Sequence, residues 1–254
     1  MESNYYENTA ISNSKLTYLA KSPAHFKHLE EVGFKETEAL EFGRAFHCAI
    51  LEPDKFLSSY MALPQVDKRT KEGKALFSDF IERNMGKCFL GQDEFDKILT
   101  MSKKLLSSPA VCELLQGEYE QEFYWTDEQT GIDCKSKLDV YNRGVRVVDI
   151  KTTESADPET FHRSIFKYAY HRQGGMYIDA TQEVLPYYII AIEKDAPHEF
   201  SILRLSEEVL EYGRKEYKSL LEKCAQCRAN NYWPGYETKY FDAFEVELPT
   251  YLRI

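Results

Sequence analysis

The feature that most constrains the fold is a run of strand-like segments in the middle of the chain. Each segment is rich in β-branched and aromatic residues, and turn sequences containing Gly131 and Gly144 separate them. The three segments cover residues 119–126, 132–141 and 145–151. This pattern predicts a three-stranded antiparallel meander, so a β-sheet must form part of the fold.

A strand–helix–strand unit is expected to begin with the last strand of the meander. Asp157 followed by Pro158 is typical of a helix start, and the helix should continue to about Ala180. Residues 184–193 have the apolar composition of a buried strand. Because a strand–helix–strand order of this length implies a right-handed parallel crossover, this strand should run parallel to the last strand of the meander.

Helices are expected before and after the sheet. Two short helices should fill residues 1–30, with a break at Ser22-Pro23 and with Ser12 or Ser14 as the first cap. The remaining predicted elements are helices at 38–51 and 92–107, a strand at 198–204, and a helix from Ser206 to about Asn230.

We therefore expect residues 1–254 to form a single domain of the α/β class, with a mixed central sheet flanked by helices. Its parts are a mainly helical segment at 1–115, the sheet with its crossover helix at 116–205, and a C-terminal helix and tail at 206–254. A chain of this length can bury a substantial core.

The charge of the chain limits what it can bind over its whole surface. It carries 32 Lys and Arg against 42 Asp and Glu, a net charge of −10. This balance excludes indiscriminate binding of nucleic acid, since phosphate binding needs an excess of basic groups. No stretch approaches the roughly 18 apolar residues of a membrane span. The first residues also lack the basic and apolar regions of a secretory signal.

The six cysteines predict free thiols in a reducing compartment, so we expect a cytoplasmic protein. Cys224 and Cys227 form a lone C-x-x-C pair on a predicted helix. Because no second pair of cysteines or histidines completes four ligands, we interpret this pair as structural rather than as a zinc site.

Two carboxylates and a lysine are expected near the second hairpin of the meander. Asp149 and Lys151 are two residues apart on one strand, so their side chains project from the same face. A three-residue loop at 142–144 would pair Tyr141 with Val145 and place Asp139 on that face as well. A two-residue loop would place Asp139 on the opposite face.

Such a cluster has a specific chemical use. Carboxylate oxygens suit Mg²⁺ or Mn²⁺, and a metal held there lowers the pKa of a bound water and neutralises charge on a phosphate. A lysine beside it can orient that water or stabilise the transition state. The alternative is an ordinary ion pair on the surface of a hairpin.

Three further features favour the functional interpretation. Gln173 and Tyr177 are four residues apart on a predicted helix and so share a face. Gly43 and His47 have the same spacing on an earlier helix, and Glu120 begins the strand that leads into the meander.

Together these motifs resemble the PD-(D/E)xK nuclease superfamily. The similar segments are Asp139 with Asp149-Ile150-Lys151, Gln173-x-x-x-Tyr177 and Gly43-x-x-x-His47. The last two resemble motifs of the RecB-type branch, and within that branch the similarity is to the RecE-type (exodeoxyribonuclease VIII) nucleases. It runs from about Ser12 to Trp233-Pro234. Leu138 replaces the proline of the core motif, a change that removes no ligand.

The resemblance implies a role for each residue of the site. The ligands of the catalytic Mg²⁺ or Mn²⁺, one ion or two, would be Asp139, Asp149, the carbonyl of Ile150, Glu120 and His47. Lys151 would act on the attacking water. Gln173 and Tyr177 would position the DNA or the lysine.

The resemblance also implies an activity and partners. The chain would be an exodeoxyribonuclease that degrades one strand of duplex DNA, 5′ to 3′, and leaves a 3′ tail for recombination. Its partners would be double-stranded DNA ends, a single-strand annealing recombinase and further copies of the chain in a tetrameric ring. The protein would be encoded by a bacterium or a phage.

Two alternatives remain beside this interpretation. One is a RecB-type nuclease module that serves a helicase or acts on single strands. The other is a DNA-binding protein that has lost catalysis, against which the intact Asp139, Asp149 and Lys151 count.

Basic residues on the predicted crossover helix are candidates for DNA contacts. Arg163, Lys167 and His171 follow one another at intervals of four residues, and Arg172 is adjacent. A solvated face would explain the same spacing. However, no Asp or Glu occurs from Phe161 to Ile178 in this acidic chain, which favours a track for phosphates.

Overall fold

The computed structural model describes residues 5–236 and 246–247 of the chain. The helices are α1 Asn13–Lys21, α2 Pro23–Val32, α3 Glu38–Leu51, α4 Pro53–Ser59, α5 Lys71–Arg83, α6 Gln92–Leu106, α7 Pro109–Leu114, α8 Pro158–Lys167, α9 Tyr170–Thr181 and α10 Glu207–Asn230. The strands are β1 Tyr60–Ala62, β2 Cys88–Leu90, β3 Glu118–Thr126, β4 Asp133–Asn142, β5 Arg146–Thr153, β6 Tyr187–Glu193 and β7 Phe200–Leu205. The irregular tail expected after Trp233 lies mostly outside the described residues.

The main sheet has five strands in the order β3-β4-β5-β6-β7. Strands β5 and β6 are parallel, whereas the other neighbouring pairs are antiparallel. The predicted meander and the predicted parallel crossover are therefore confirmed. A small parallel pair, β1 with β2, lies apart from this sheet and was not predicted.

Helices cover both faces of the sheet. On one face, helices α3, α6 and α7 pack on Val148, Ile150 and Ile190. On the other face, α8 and α9 pack on Val147 and Ile189. The predicted class, a mixed central sheet flanked by helices, is confirmed. That residues 1–254 make up one nuclease domain stays a prediction.

Capping side chains begin the helices where the sequence predicts. The Ser12 hydroxyl accepts from the N–H of Lys15, and the Asp157 carboxylate accepts from the N–H of Thr160. Ser206 caps α10 in the same way. Each cap satisfies a donor in the first turn that has no partner within the helix.

The prediction of one helix from Asp157 to about Ala180 is wrong. Helix α8 ends at Lys167, and Ala169 adopts a left-handed conformation with φ 56° before α9 begins. The reason is tertiary, because α9 packs backbone against backbone on α10. A Cβ at Gly213 would lie 2.0 Å from the carbonyl oxygen of His171. No proline or glycine marks the break in the sequence.

The predicted register of the second hairpin is also wrong, by two residues. Tyr141 pairs with Val147 rather than with Val145. The turn itself resembles the expected one, since the N–H of Val145 donates to the carbonyl of Asn142 at 2.9 Å and Gly144 has φ 71°.

Within the described part of the chain, we find no helix that is both long enough and apolar enough to cross a membrane.

Candidate active site

The candidate site lies where strands β4 and β5 separate. The two strands pair only as far as Val140 and Val148. Beyond that point the Asp139 carboxylate, through Oδ2, accepts a hydrogen bond of 2.7 Å from the backbone N–H of Ile150. A side-chain oxygen thus takes the place of a strand carbonyl. This contact, and not the predicted register, brings Asp139 to the Asp149-Ile150-Lys151 segment.

Helix α3 brings His47 to the same point. Its Nε2 lies 2.9 Å from the carbonyl oxygen of Ile150, and its Nδ1 lies 3.4 Å from Oδ1 of Asp139. Burial by itself lowers the pKa of His47, but the Asp139 carboxylate outweighs burial and the pKa is raised. The carboxylate of Asp139 thus favours the charged form of the imidazole, in opposition to burial.

Strand β3 contributes Glu120 from the other side of β4. Its neighbours Tyr119 and Gln121 pair with Val140 and Leu138, so Glu120 stands opposite Asp139. Its backbone is left-handed, with φ 54°. This conformation is strained for a residue other than glycine and is characteristic of functional positions.

A metal ion fits the group of His47, Glu120 and Asp139. Their ligand atoms all lie within 4.8 Å of one another. Two carboxylates and an imidazole suit Mn²⁺, and the carboxylates suit Mg²⁺. The carbonyl of Ile150 is next to this group through its contact with His47. Four of the five predicted ligands are therefore together.

Asp149, the fifth predicted ligand, has other partners here. Gln173 donates from Nε2 to its Oδ1 at 2.6 Å, and the ammonium of Lys151 lies 2.5 Å from its Oδ2. The predicted proximity of Asp149, Lys151 and Gln173 is thus present. A role for Asp149 as a metal ligand stays a prediction.

Tyr177 lies beside Gln173, four residues along α9, as the sequence spacing predicts. Burial raises the pKa of Tyr177 well above its usual value, and Tyr5 is the next largest contributor. The phenol therefore stays protonated and acts as a hydrogen-bonding group at the wall of the site.

The buried charges of the site influence one another strongly. Burial raises the pKa of Asp149 to about 6; Lys151 opposes the shift and Asp139 adds to it. Burial would lower the pKa of Lys151, but Asp149 and Asp139 raise it to about 12. Burial would raise the pKa of Asp139, but His47, Lys151 and the N–H of Ile150 lower it. Lys151 is therefore charged at neutral pH.

The raised pKa of Asp149 has a measurable effect on stability. Its folded-state pKa of about 6 lies above the usual value near 3.9, so the stability that this carboxyl contributes is lost as pH rises from about 4 to about 6. An asparagine at this position does not titrate. In EDTA, Asp149→Asn should therefore unfold at the wild-type temperature near pH 4 and at a higher temperature by pH 7. A difference that stays constant with pH would contradict this assignment.

The strained backbone of Glu120 leads to a second prediction. Glu120→Gly and Glu120→Ala both lose the contact with Lys137, but only glycine adopts φ 54° without strain. The glycine variant should be more stable than the alanine variant by about 1 kcal/mol, or by roughly 2–4 °C in a chain of this size. Thermal unfolding in EDTA measures the difference, and an alanine variant of equal or greater stability would refute it.

The structure does not support DNA contacts for His171 and Arg172. Arg172 is only 1% exposed. It donates to Asn13, Thr17 and Glu216, and His171 also contacts Glu216. Both residues join α9 to its neighbouring helices and face away from solvent. The break at Ala169 removes them from the predicted stripe, because Arg163 and Lys167 lie on α8, where both are exposed.

Two further residues lie beside the site. Lys137 contacts a carboxylate oxygen of Glu120. The ring centre of Tyr170 lies 5.0 Å from the ammonium of Lys151. The position of Lys137, two residues before Asp139, could have indicated the first. Tyr170 could not be found, because its position depends on the unpredicted break before α9.

Comparison with known families agrees with this geometry. The sequence model of a family described as "PDDEXK-like domain of unknown function (DUF3799)" matches residues 12–243, which is most of the chain. The chain belongs to this family. The predicted membership of the PD-(D/E)xK superfamily is thereby confirmed, whereas the closer RecE-type assignment stays a prediction. No curated protein matches the sequence.

Two solved structures are similar to this PDDEXK-like chain, and one of them shows the same fold. One is a protein from Eubacterium rectale whose name describes it provisionally as an exonuclease. It is 14% identical, with a TM-score of 0.63, and the match covers 98% of this chain and 94% of that one. A phage related exonuclease from Haemophilus somnus 129PT is 13% identical, with a TM-score of 0.36 over 74% of this chain and 94% of that one. The second likeness is too weak to establish a shared fold.

Proposed function

We propose that this PDDEXK-like protein is a divalent-metal-dependent exodeoxyribonuclease that degrades one strand of duplex DNA from 5′ to 3′. The observation that carries the proposal is the convergence of His47, Glu120 and Asp139 next to Ile150 and the paired Asp149 and Lys151. Membership of the PDDEXK-like family supports it. The resemblance to RecE-type nucleases is the reason for proposing an exonuclease of this polarity, and the provisional name of the Eubacterium rectale protein agrees with an exonuclease.

The chemistry follows from the positions of the side chains. His47, Glu120, Asp139 and the carbonyl of Ile150 would hold Mg²⁺ or Mn²⁺, as one ion or two. When bound, such a cation would supply a lowered pKa of a bound water and positive charge toward the scissile phosphate. The Lys151 ammonium supplies a fixed positive charge that stabilises the negative charge developing at phosphorus.

The remaining residues position these groups. Gln173 holds one oxygen of Asp149, so that the other oxygen keeps its contact with Lys151. Tyr177 limits the movement of Gln173 from the next turn of α9. The exposed Arg163 and Lys167 on α8 would contact DNA phosphates at the surface.

The biological setting is part of the same proposal. The 3′ tail would pass to a single-strand annealing recombinase, and copies of the chain would assemble as a tetrameric ring around DNA. The protein would act in the cytoplasm of a bacterium or of a phage-infected cell.

A cleavage assay on linear duplex DNA tests the proposed function. Duplexes labelled at either the 5′ or the 3′ end are incubated with the protein in Mg²⁺, Mn²⁺ or EDTA. We expect mononucleotide release from the 5′ label first, in Mg²⁺ or Mn²⁺ only. Prior release from the 3′ label refutes the polarity, and digestion of single strands alone favours a RecB-type activity. Binding without any hydrolysis identifies the protein as a catalytically inactive DNA-binding protein.

A further inference from the structure

The N-terminal segment Tyr5–Ile11, named here the N-terminal strap, is tied to strand β4. Ile11 forms a bridge with β4: its N–H donates to the carbonyl of Asp133 at 2.8 Å, and its carbonyl accepts from the N–H of Lys135 at 2.9 Å. The side chain of Asn8 accepts from the N–H of Ala10 and closes a turn within the strap. Ile11 thus ties the end of the strap to the start of β4, and the turn at Asn8 redirects the chain before it.

Lys135 fixes the other end of the strap. Its side chain is buried, and its ammonium donates to the backbone carbonyls of Tyr5 and Asn8. The same ammonium lies 4.4 Å from the centre of the Tyr5 ring. A buried ammonium needs partners of this kind, so the contact defines where residues 5 and 6 lie.

This anchoring places the ring of Tyr6 at the rim of the candidate metal-binding residues His47, Glu120 and Asp139, which are called the metal group below. The ring centre lies 5.6 Å from the ammonium of Lys137, which in turn contacts Glu120. Tyr6 is nevertheless 68% exposed. Only one lysine therefore separates an exposed aromatic face from a candidate metal ligand.

Tyr6 belongs to a small group of aromatic rings on this rim. Its ring packs edge-on against Tyr5 at 5.5 Å, and Tyr5 contacts the half-exposed Tyr124 at 6.2 Å. The hydroxyl of Tyr124 donates to Glu122 at 2.9 Å. Tyr5 and Tyr124 thus support the position of Tyr6 from behind and leave its outer face open.

We propose that Tyr6 stacks on an unpaired nucleobase at the end of the DNA substrate. This inference rests on the proposed nuclease function. Aromatic side chains in single-strand channels bind bases in this way, and a basic group beside the ring suits the adjoining phosphate. A base inside a duplex has both faces covered by its neighbours, so the ring requires an unpaired one. In a chain of net charge −10, stacking also supplies affinity that phosphate contacts alone do not.

The inference is tested with DNA that carries a fluorescent base. Duplexes bear 2-aminopurine in a short single-stranded extension, or at the terminal pair of a blunt end. They are bound in Mg²⁺ by the Lys151→Met protein, which should not digest them, and the Tyr6 variants are made in this background. With Tyr6 present, the fluorescence of one extension nucleotide should be quenched by stacking. Tyr6→Phe should retain the quenching, whereas Tyr6→Ala should abolish it.

The binding affinity of the same proteins is measured for each DNA. Loss of one stacked base should weaken binding of the extended duplex by about 5- to 150-fold in Tyr6→Ala. Binding of the blunt duplex should change much less. The matched control is Tyr236→Ala, which removes a tyrosine that is 72% exposed and lies against His25 of α2.

Each result has a defined meaning. Unchanged quenching and affinity in Tyr6→Ala, or an equal loss with Tyr236→Ala, overturns the stacking inference. The proposed nuclease function stands in that case if the protein with Lys151 intact still digests end-labelled DNA. Tighter binding or faster digestion by Tyr6→Ala identifies the strap as an obstruction instead. A wild type that neither binds nor digests DNA overturns both proposals.

Discussion

Lys151→Met should reduce DNA hydrolysis by at least about 100- to 1,000-fold, the cost of losing one preorganised charge-stabilising group. The ammonium of Lys151 is mostly buried, lies 2.5 Å from Asp149 and is covered by the ring of Tyr170 at 5.0 Å. Methionine keeps the apolar stem and removes the charge. The initial rate on 5′-labelled duplex in Mg²⁺ measures the loss.

Two controls accompany the measurement on Lys151→Met. Lys97→Met removes a lysine from a surface pair with Asp195 and should digest DNA at the wild-type rate. Lys151→Met should also bind Mn²⁺ as the wild type does, because the metal group is His47, Glu120 and Asp139. Wild-type hydrolysis by Lys151→Met would show that the site has been assigned wrongly.

Asp139→Asn should weaken Mn²⁺ binding by at least about 100-fold and abolish digestion, since losing even an outer-shell partner of a metal costs about 10- to 100-fold. Asp139 is the residue that joins the metal group to β5, through the N–H of Ile150. Asparagine keeps an acceptor for that N–H, so the fold should survive. Titration calorimetry with Mn²⁺ measures the affinity.

Asp149→Asn is the informative comparison for Asp139→Asn. Gln173 donates to one oxygen of Asp149 and the ammonium of Lys151 lies 2.5 Å from the other, so its replacement should weaken Mn²⁺ binding less than Asp139→Asn does. An equal or larger loss would establish Asp149 as a direct ligand, as the resemblance to PD-(D/E)xK nucleases implies. Asp195→Asn, at an exposed carboxylate in a surface pair with Lys97, is the control that should leave Mn²⁺ binding unchanged.

Much of the site could be predicted because its motifs are local. Asp149 and Lys151 share a face of one strand, and Gln173 and Tyr177 share a face of one helix, whatever the rest of the chain does. The structure brings these residues together as expected. The predictions that proved wrong concern contacts between elements. His171 and Arg172 have the composition of a DNA contact, but they are buried against Glu216 of α10.

The sequence by itself determined the strands of the main sheet, most of the helices that flank it, their order and the residue types of the site. Caps such as Ser12, Asp157 and Ser206 and the alternation of the strands act over a few residues, so they can be read from the chain. Only the tertiary structure decided how these pieces meet. The break at Ala169 and the burial of Arg172 follow from close packing of α9 on α10. The placement of Tyr6 beside Lys137 follows from the anchoring of the strap by Lys135. Such contacts join residues far apart in the chain, and their geometry is set by packing that no local pattern encodes.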